Sequence, residues 1–190
     1  MPPLARLCRR SRRVLFGLLC LFVVLFIGMI GVRIVFPIEY RNEIPEWSAI
    51  YDLNPELVAS VIRNESRFRP QAVSPVGAIG LMQIMPDTGA WIAQQLQLNK
   101  YSTAQLESPD LNIMLGTWYL RYLLDRFATV DAALMAYNAG PTNAQRWKGN
   151  LELAFRDTQR YVRRIHFSLF VYRTYFAIPW LIDLIPSLHF

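Results

Sequence analysis

The chain of 190 residues has two cysteines, Cys8 and Cys20, and both fall within its first twenty positions. Whatever folds after them has no internal disulfide and no cysteine-based metal site. Histidine is equally scarce: His166 and His189 stand apart and form no clustered ligand pattern, so no metal and no cofactor are expected. Acidic residues are missing from residues 1–36, which carry all of the excess positive charge as Arg6, Arg9, Arg10, Arg12, Arg13 and Arg33. The remainder holds fourteen basic and fourteen acidic residues and is neutral, which leaves no electrostatic footprint for nucleic acid. Internal repeats and low-complexity stretches are also absent.

Charge is missing altogether from Val14–Val32, nineteen residues long, and Ile34, Val35 and Phe36 extend the apolar character past Arg33. That length suits one membrane-spanning helix over residues 14–36. The arginines of residues 1–13 predict a cytoplasmic N-terminus and a domain on the far side of the membrane. A cleaved signal peptide would want a shorter apolar region with a small-residue cleavage site, and a lipoprotein anchor at Cys20 would want a small residue where Leu19 stands. An uncleaved anchor is the expectation. Pro37–Pro45 is a short polar connector that keeps the following domain close to the bilayer.

Residues 54–86 organise that domain, which is expected over residues 37–170 and mainly α. Asn54 suits a helix N-cap and Pro55 the first helical position, and Arg69-Pro70 marks the far limit. At about 100° per residue, Leu57, Val58, Val61 and Ile62 share one face, and Glu65 falls near its middle. Burial of a carboxyl there raises its pKa and keeps it protonated near neutral pH, as a general acid requires. Ser74, Pro75, Gly77 and Gly80 follow in a loop that allows close backbone approach. In the run from Leu81 to Pro86, Gln83 is a single neutral amide able to donate and accept, while Met82 and Met85 offer adaptable apolar walls.

Further helices are expected at Ile44–Leu53, from Pro86 to about Leu98 with Asp87 or Thr88 as cap, and at Pro109–Phe127. In the last of these Leu111, Met114, Leu115, Trp118, Tyr119 and Tyr122 mark a core-facing stripe. Ala132–Asn138 reads as a buried helix stopped by Gly140 and Pro141. Asp157–Phe170 closes the domain. The apolar tail, residues 171–190, either folds back on the domain or lies in the membrane interface.

Four pieces together resemble the lytic transglycosylases of bacterial cell walls. They are Glu65-Ser66, the run Ala72 to Ala78, the run Gly80 to Pro86, and Ala136-Tyr137-Asn138-Ala139-Gly140-Pro141. The resemblance covers residues 43–165 and implies a lysozyme-like helical catalytic domain acting on peptidoglycan glycan strands. By that pattern Glu65 is the catalytic acid and base, and Ser74 hydrogen-bonds it. Gln83 and Met85 line the sugar site, Tyr137 flanks the acid, and Asn138 belongs to the supporting shell. Asp157 stands where the family commonly has glutamate, and Tyr161 matches the closing motif as a packing residue. A muramidase that hydrolyses the same bond, and a non-catalytic glycan-binding scaffold of the cell envelope, are the two other readings.

Overall fold

The computed structural model describes residues 3–177, with side chains from residue 15 onward. Helix α1, Pro3–Val35, contains the apolar stretch Leu15–Val35, of which Arg33 alone is buried. Seven further helices follow: α2 (Glu43–Ile50), α3 (Pro55–Glu65), α4 (Pro86–Gln95), α5 (Pro109–Arg126), α6 (Val130–Ala139), α7 (Pro141–Arg146) and α8 (Arg156–Ala177). Short 3-10 turns lie at Thr103–Glu107 and Leu151–Leu153. The described residues contain no strand, only two isolated bridges at Val73, Ile79 and Ile84. The mainly α expectation therefore holds, with one apolar helix ahead of the helical domain.

Helix α3 is the spine of the domain. Leu57, Val58, Val61 and Ile62 are buried as their spacing predicts, and the helix packs chiefly on α8. Pro55 occupies the first turn, but Asn54 makes no side-chain capping bond. The helix ends at Glu65, earlier than the limit set by Pro70. Arg67 and Phe68 adopt positive φ values of 56° and 62°, a left-handed conformation that costs a non-glycine residue roughly 1–2 kcal/mol. The Phe68 ring is 2% exposed and stacks against Tyr40 and edge-on to Tyr172. Burying a phenylalanine yields about 1.5–3 kcal/mol, enough to hold the turn.

The face that α5 buries is not the one expected. Ile113, Leu115, Leu120 and Leu123 are buried together with Asn112, Gly116 and Thr117. Of the predicted stripe only Leu115 is core. Trp118, Tyr119 and Tyr122 stand half-buried beside Trp91 of α4 and form an aromatic layer with ring centroids 5.1–6.2 Å apart. Gly116 opens the face to a neighbour: a Cβ there would sit 2.4 Å from the Met82 sulfur. Helix α4 starts at Pro86, and neither Asp87 nor Thr88 caps it.

Helix α8 continues beyond Phe170 to Ala177 and buries Tyr172 and Tyr175, so the first part of the apolar tail is helix. Residues 178–190 of that tail lie outside the described residues. The end of α1 is clamped to α8. Tyr172 donates to the Pro37 carbonyl at 2.9 Å, Arg33 lies over the Tyr175 ring, and Phe36 meets Phe167 and Tyr172 edge-on.

Candidate active site

Glu65 sits where the last turn of α3 meets α8, the 72–85 loop and the end of α6. Glu65 as a whole is partly buried, and burial of its carboxyl pushes the pKa up to about 7, against the smaller opposing influences of Tyr161 and Arg164. The Tyr161 hydroxyl donates to Glu65 Oε1 at 2.7 Å. Among the described residues, the groups that shift it are Tyr161 and Arg164, and no carboxyl is one of them. Tyr137 and Tyr161 are both pushed well above the ordinary tyrosine value, first by burial and then by nearby Glu65, so both stay neutral. Replacing Tyr161 with phenylalanine removes a donor that favours the ionised acid. In Tyr161→Phe the Glu65 carboxyl, followed by 13C NMR, should titrate at higher pH than in the parent; a downward shift would contradict the geometry.

Ser74 does not bond Glu65. Its hydroxyl oxygen accepts from the Ala78 N–H at 2.9 Å, and the Ala78 carbonyl accepts from the Ser74 N–H. Ser74 closes the loop on itself, while the bond to the acid comes from Tyr161. Sequence reasoning matched Tyr161 to the closing motif without giving it this bond. The two residues are 96 positions apart, and periodicity carries no information about which helix end faces which. Tyr161 fills the fourth position after Asp157, which itself points to solvent and pairs with Arg160.

Gln83 adopts a positive φ of 49°, and its Nε2 donates to the Ala72 and Gly80 carbonyls, each at 2.9 Å. Both amide hydrogens thus brace the loop and only Oε1 is left to meet a ligand. Met85 is 41% exposed and lies next along the loop, whereas Met82 is fully buried. The Tyr137 hydroxyl donates to the Met82 carbonyl at 2.8 Å, which fixes the loop from the α6 side. Asn138 is exposed, and its Oδ1 accepts from Thr158 Oγ1 at 2.9 Å, tying the end of α6 to the start of α8. Tyr137, on which Glu65 acts, thus links the acid to the loop that carries Gln83 and Met85.

The residue that sequence reasoning missed is Asn112. Wholly buried on α5, it accepts from the Met82 N–H at 2.7 Å and donates to the carbonyls of Ile79 and Leu106 at 3.0 and 2.8 Å. One amide thus stands in for the secondary structure that the loop lacks. Gly80 lies against it with φ of 85°, and a Cβ there would fall 2.1 Å from Asn112 Nδ2. A polar side chain between Leu111 and Ile113 was the available signal.

The family model described as the transglycosylase SLT domain matches residues 42–154. The chain belongs to the transglycosylase SLT domain family. The soluble lytic murein transglycosylase of Salmonella typhimurium is 33% identical over 143 residues, covering 68% of this chain and 22% of that protein. Membrane-bound lytic murein transglycosylase C of Actinobacillus pleuropneumoniae is 36% identical over 112 residues, covering 54% of this chain and 31% of that one. Among solved structures, an inactive glutamate-to-glutamine variant of the lytic transglycosylase Slt of Pseudomonas aeruginosa superposes with a TM-score of 0.72 at 30% identity. That match covers 77% of this chain and 26% of the other. The chain thus spans about a quarter of the length of these larger relatives, and the shared part is the SLT domain. Tyr161, the hydrogen-bond partner of Glu65, lies beyond the stretch that the family model matches.

Proposed function

We propose that this SLT domain protein is a membrane-anchored lytic transglycosylase. It cleaves the β-1,4 bond between N-acetylmuramic acid and N-acetylglucosamine in peptidoglycan and leaves 1,6-anhydro ends. The observation that carries this reading is a lone carboxyl, Glu65, raised to about 7 with no second carboxyl acting on it. Glycosidases that use water or a protein nucleophile ordinarily employ a pair of carboxyl groups. A single one suffices when the sugar supplies the nucleophile.

In the forward step protonated Glu65 gives its proton to the glycosidic oxygen as that bond breaks. The ionised carboxylate, held by the Tyr161 hydroxyl, then takes the proton of the muramic acid 6-hydroxyl, whose oxygen closes on the anomeric carbon. The proton count returns to its start and no water is consumed. Gln83 Oε1 accepts an acetamido N–H, Met85 forms the apolar wall, and Tyr137 holds the loop beside the acid. Support comes from the relatives: those named above are lytic transglycosylases, and a glutamate-to-glutamine change is inactive in the Pseudomonas Slt.

The stretch Leu15–Val35 is the anchor, with the arginines before it on the cytoplasmic side. Tyr161 and Tyr172 lie eleven residues apart on α8, about 16 Å at the helical rise, so the acid stands close above the point where the anchor ends. Two experiments test the two halves of the reading. Digestion of purified peptidoglycan should release anhydro-muropeptides, one water lighter than reducing-end products. Reducing ends alone would make the enzyme a muramidase, and binding without products would make it a scaffold. Alkaline carbonate should leave the full chain in the membrane pellet; release into the supernatant would remove the anchor.

A further inference from the structure

A cavity of about 280 Å³ opens on the other side of α3 from its apolar face, where the end of α1 meets α8. Arg63 of α3, Arg67 of the turn after it and Arg164 of α8 line it together with Phe36 and Phe167, and no acidic side chain among the described residues is in its wall. Phe36 follows directly on the apolar stretch Leu15–Val35, so the cavity lies at the level where the anchor leaves the hydrocarbon. The position is not adventitious. Arg63 donates through Nε to the Val35 carbonyl and its guanidinium lies 5.3 Å over the Phe36 ring, so the last turn of α1 forms part of the wall. The side chains of Arg67 and Arg164 make no hydrogen bond or ion pair with another described residue, although Arg164 acts through space on Glu65. Asn64 donates to Ser168 Oγ at 2.9 Å, which leaves the serine's own hydrogen free to turn into the cavity.

Arg63, Arg67 and Arg164 bring three positive charges to one cleft, and an anion that joins them offsets their mutual repulsion. The guanidinium fork fits phosphate oxygens two at a time. Basic clusters beside a membrane helix act on anionic headgroups. The α8 surface next to the cavity also carries Phe167 and Phe170, 62% and 72% exposed, alongside Arg163 and Arg173. That mix of aromatic and basic residues suits the interfacial zone.

We propose that this cavity holds the phosphate of an anionic membrane lipid in the leaflet on the catalytic side. Arg67 and Arg164 grip the phosphate, and Phe36 and Phe167 border the glycerol and the first carbons of the chains. The proposal rests on the anchored reading for the source of its ligand, but its test does not require the chain to span a bilayer. Because Arg164 also acts on Glu65, lipid retention and not activity is the readout.

The full chain in mild detergent is titrated with phosphatidylglycerol and with phosphatidylcholine, and the bound fraction is read by native mass spectrometry. The expected result is retention of one phosphatidylglycerol in strong preference to phosphatidylcholine. That preference falls about tenfold or more in Arg67→Ala/Arg164→Ala, since hydrogen bonds to charged groups are among the stronger ones. The charge-matched Arg146→Ala/Arg156→Ala, both exposed and outside the cavity, should leave it unchanged. Equal retention of the two lipids, or equal loss in both double variants, overturns the site. Displacement of the lipid by millimolar inorganic phosphate overturns the lipid as its occupant. Carbonate extraction reports on the anchor separately, so each failure is read on its own.

Discussion

Glu65→Gln is expected to abolish turnover and, at alkaline pH, to make the protein more stable. Removing the group proposed to act as both acid and base should cost at least about a thousandfold in rate. The stability effect follows from the same carboxyl. Its ordinary value of 4.5 is raised to about 7 in the folded state, chiefly by burial. Below pH 4.5 folded and unfolded chains both carry the proton and the acid has no pH-dependent cost. Between 4.5 and 7 the unfolded chain ionises while the folded chain does not, and stability falls with rising pH. Above 7 the loss is complete, at about 2–3 kcal/mol after allowing for the carboxyl's residual opening to water. Glutamine does not titrate, and its carbonyl still accepts from Tyr161. Urea denaturation of parent and variant in detergent should therefore diverge as pH rises from 4.5 to 8 and then run parallel. A pH-independent difference would mean that Glu65 is not kept neutral by its surroundings.

Asn112→Ala is expected to be the most damaging substitution away from the acid. It leaves the Met82 N–H and the Leu106 carbonyl without that partner in the buried interior, and the Ile79 carbonyl keeps only the Ile84 N–H. At roughly 1–3 kcal/mol for each buried group left unsatisfied, the expected loss is about 3–5 kcal/mol, a large part of the net stability of an ordinary domain. The loop that carries Gln83 and Met85 should loosen before the rest, seen as faster amide exchange over residues 79–86 than in α3. A loss under about 1 kcal/mol in chemical denaturation would show that the loop does not depend on this amide.

The two substitutions also mark what was legible from the residues alone. Helix α3 was legible because Leu57, Val58, Val61 and Ile62 repeat at helical spacing, and the same wheel placed Glu65 among them. Helix α5 was legible as a helix but not in its orientation. Apolar residues lie on more than one side of it, and the periodicity of Trp118, Tyr119 and Tyr122 outweighed the true core face. That face contains Asn112 and Gly116 because it receives a loop, not another helix. The loop has backbone groups to satisfy and the Met82 side chain to seat, and a hydrophobicity pattern cannot register either need. The early end of α3 escaped for a related reason: Pro70 is a local signal, whereas Phe68 is pulled into a left-handed turn by Tyr40 and Tyr172, which are distant in sequence. The partner of Glu65 depended on the meeting of α3 with α8, and the resemblance supplied the wrong oxygen in Ser74.

The clamp between Tyr172 and Pro37, with Arg33 laid over Tyr175, turns two helices into a single strut. A catalytic head borne on a strut samples a thin slab at constant height, whereas one on a slack tether sweeps a hemisphere. If the chain is anchored as proposed, the supply of glycan at that altitude sets the frequency of encounters, and lengthening the joint after Phe36 would widen the territory it patrols.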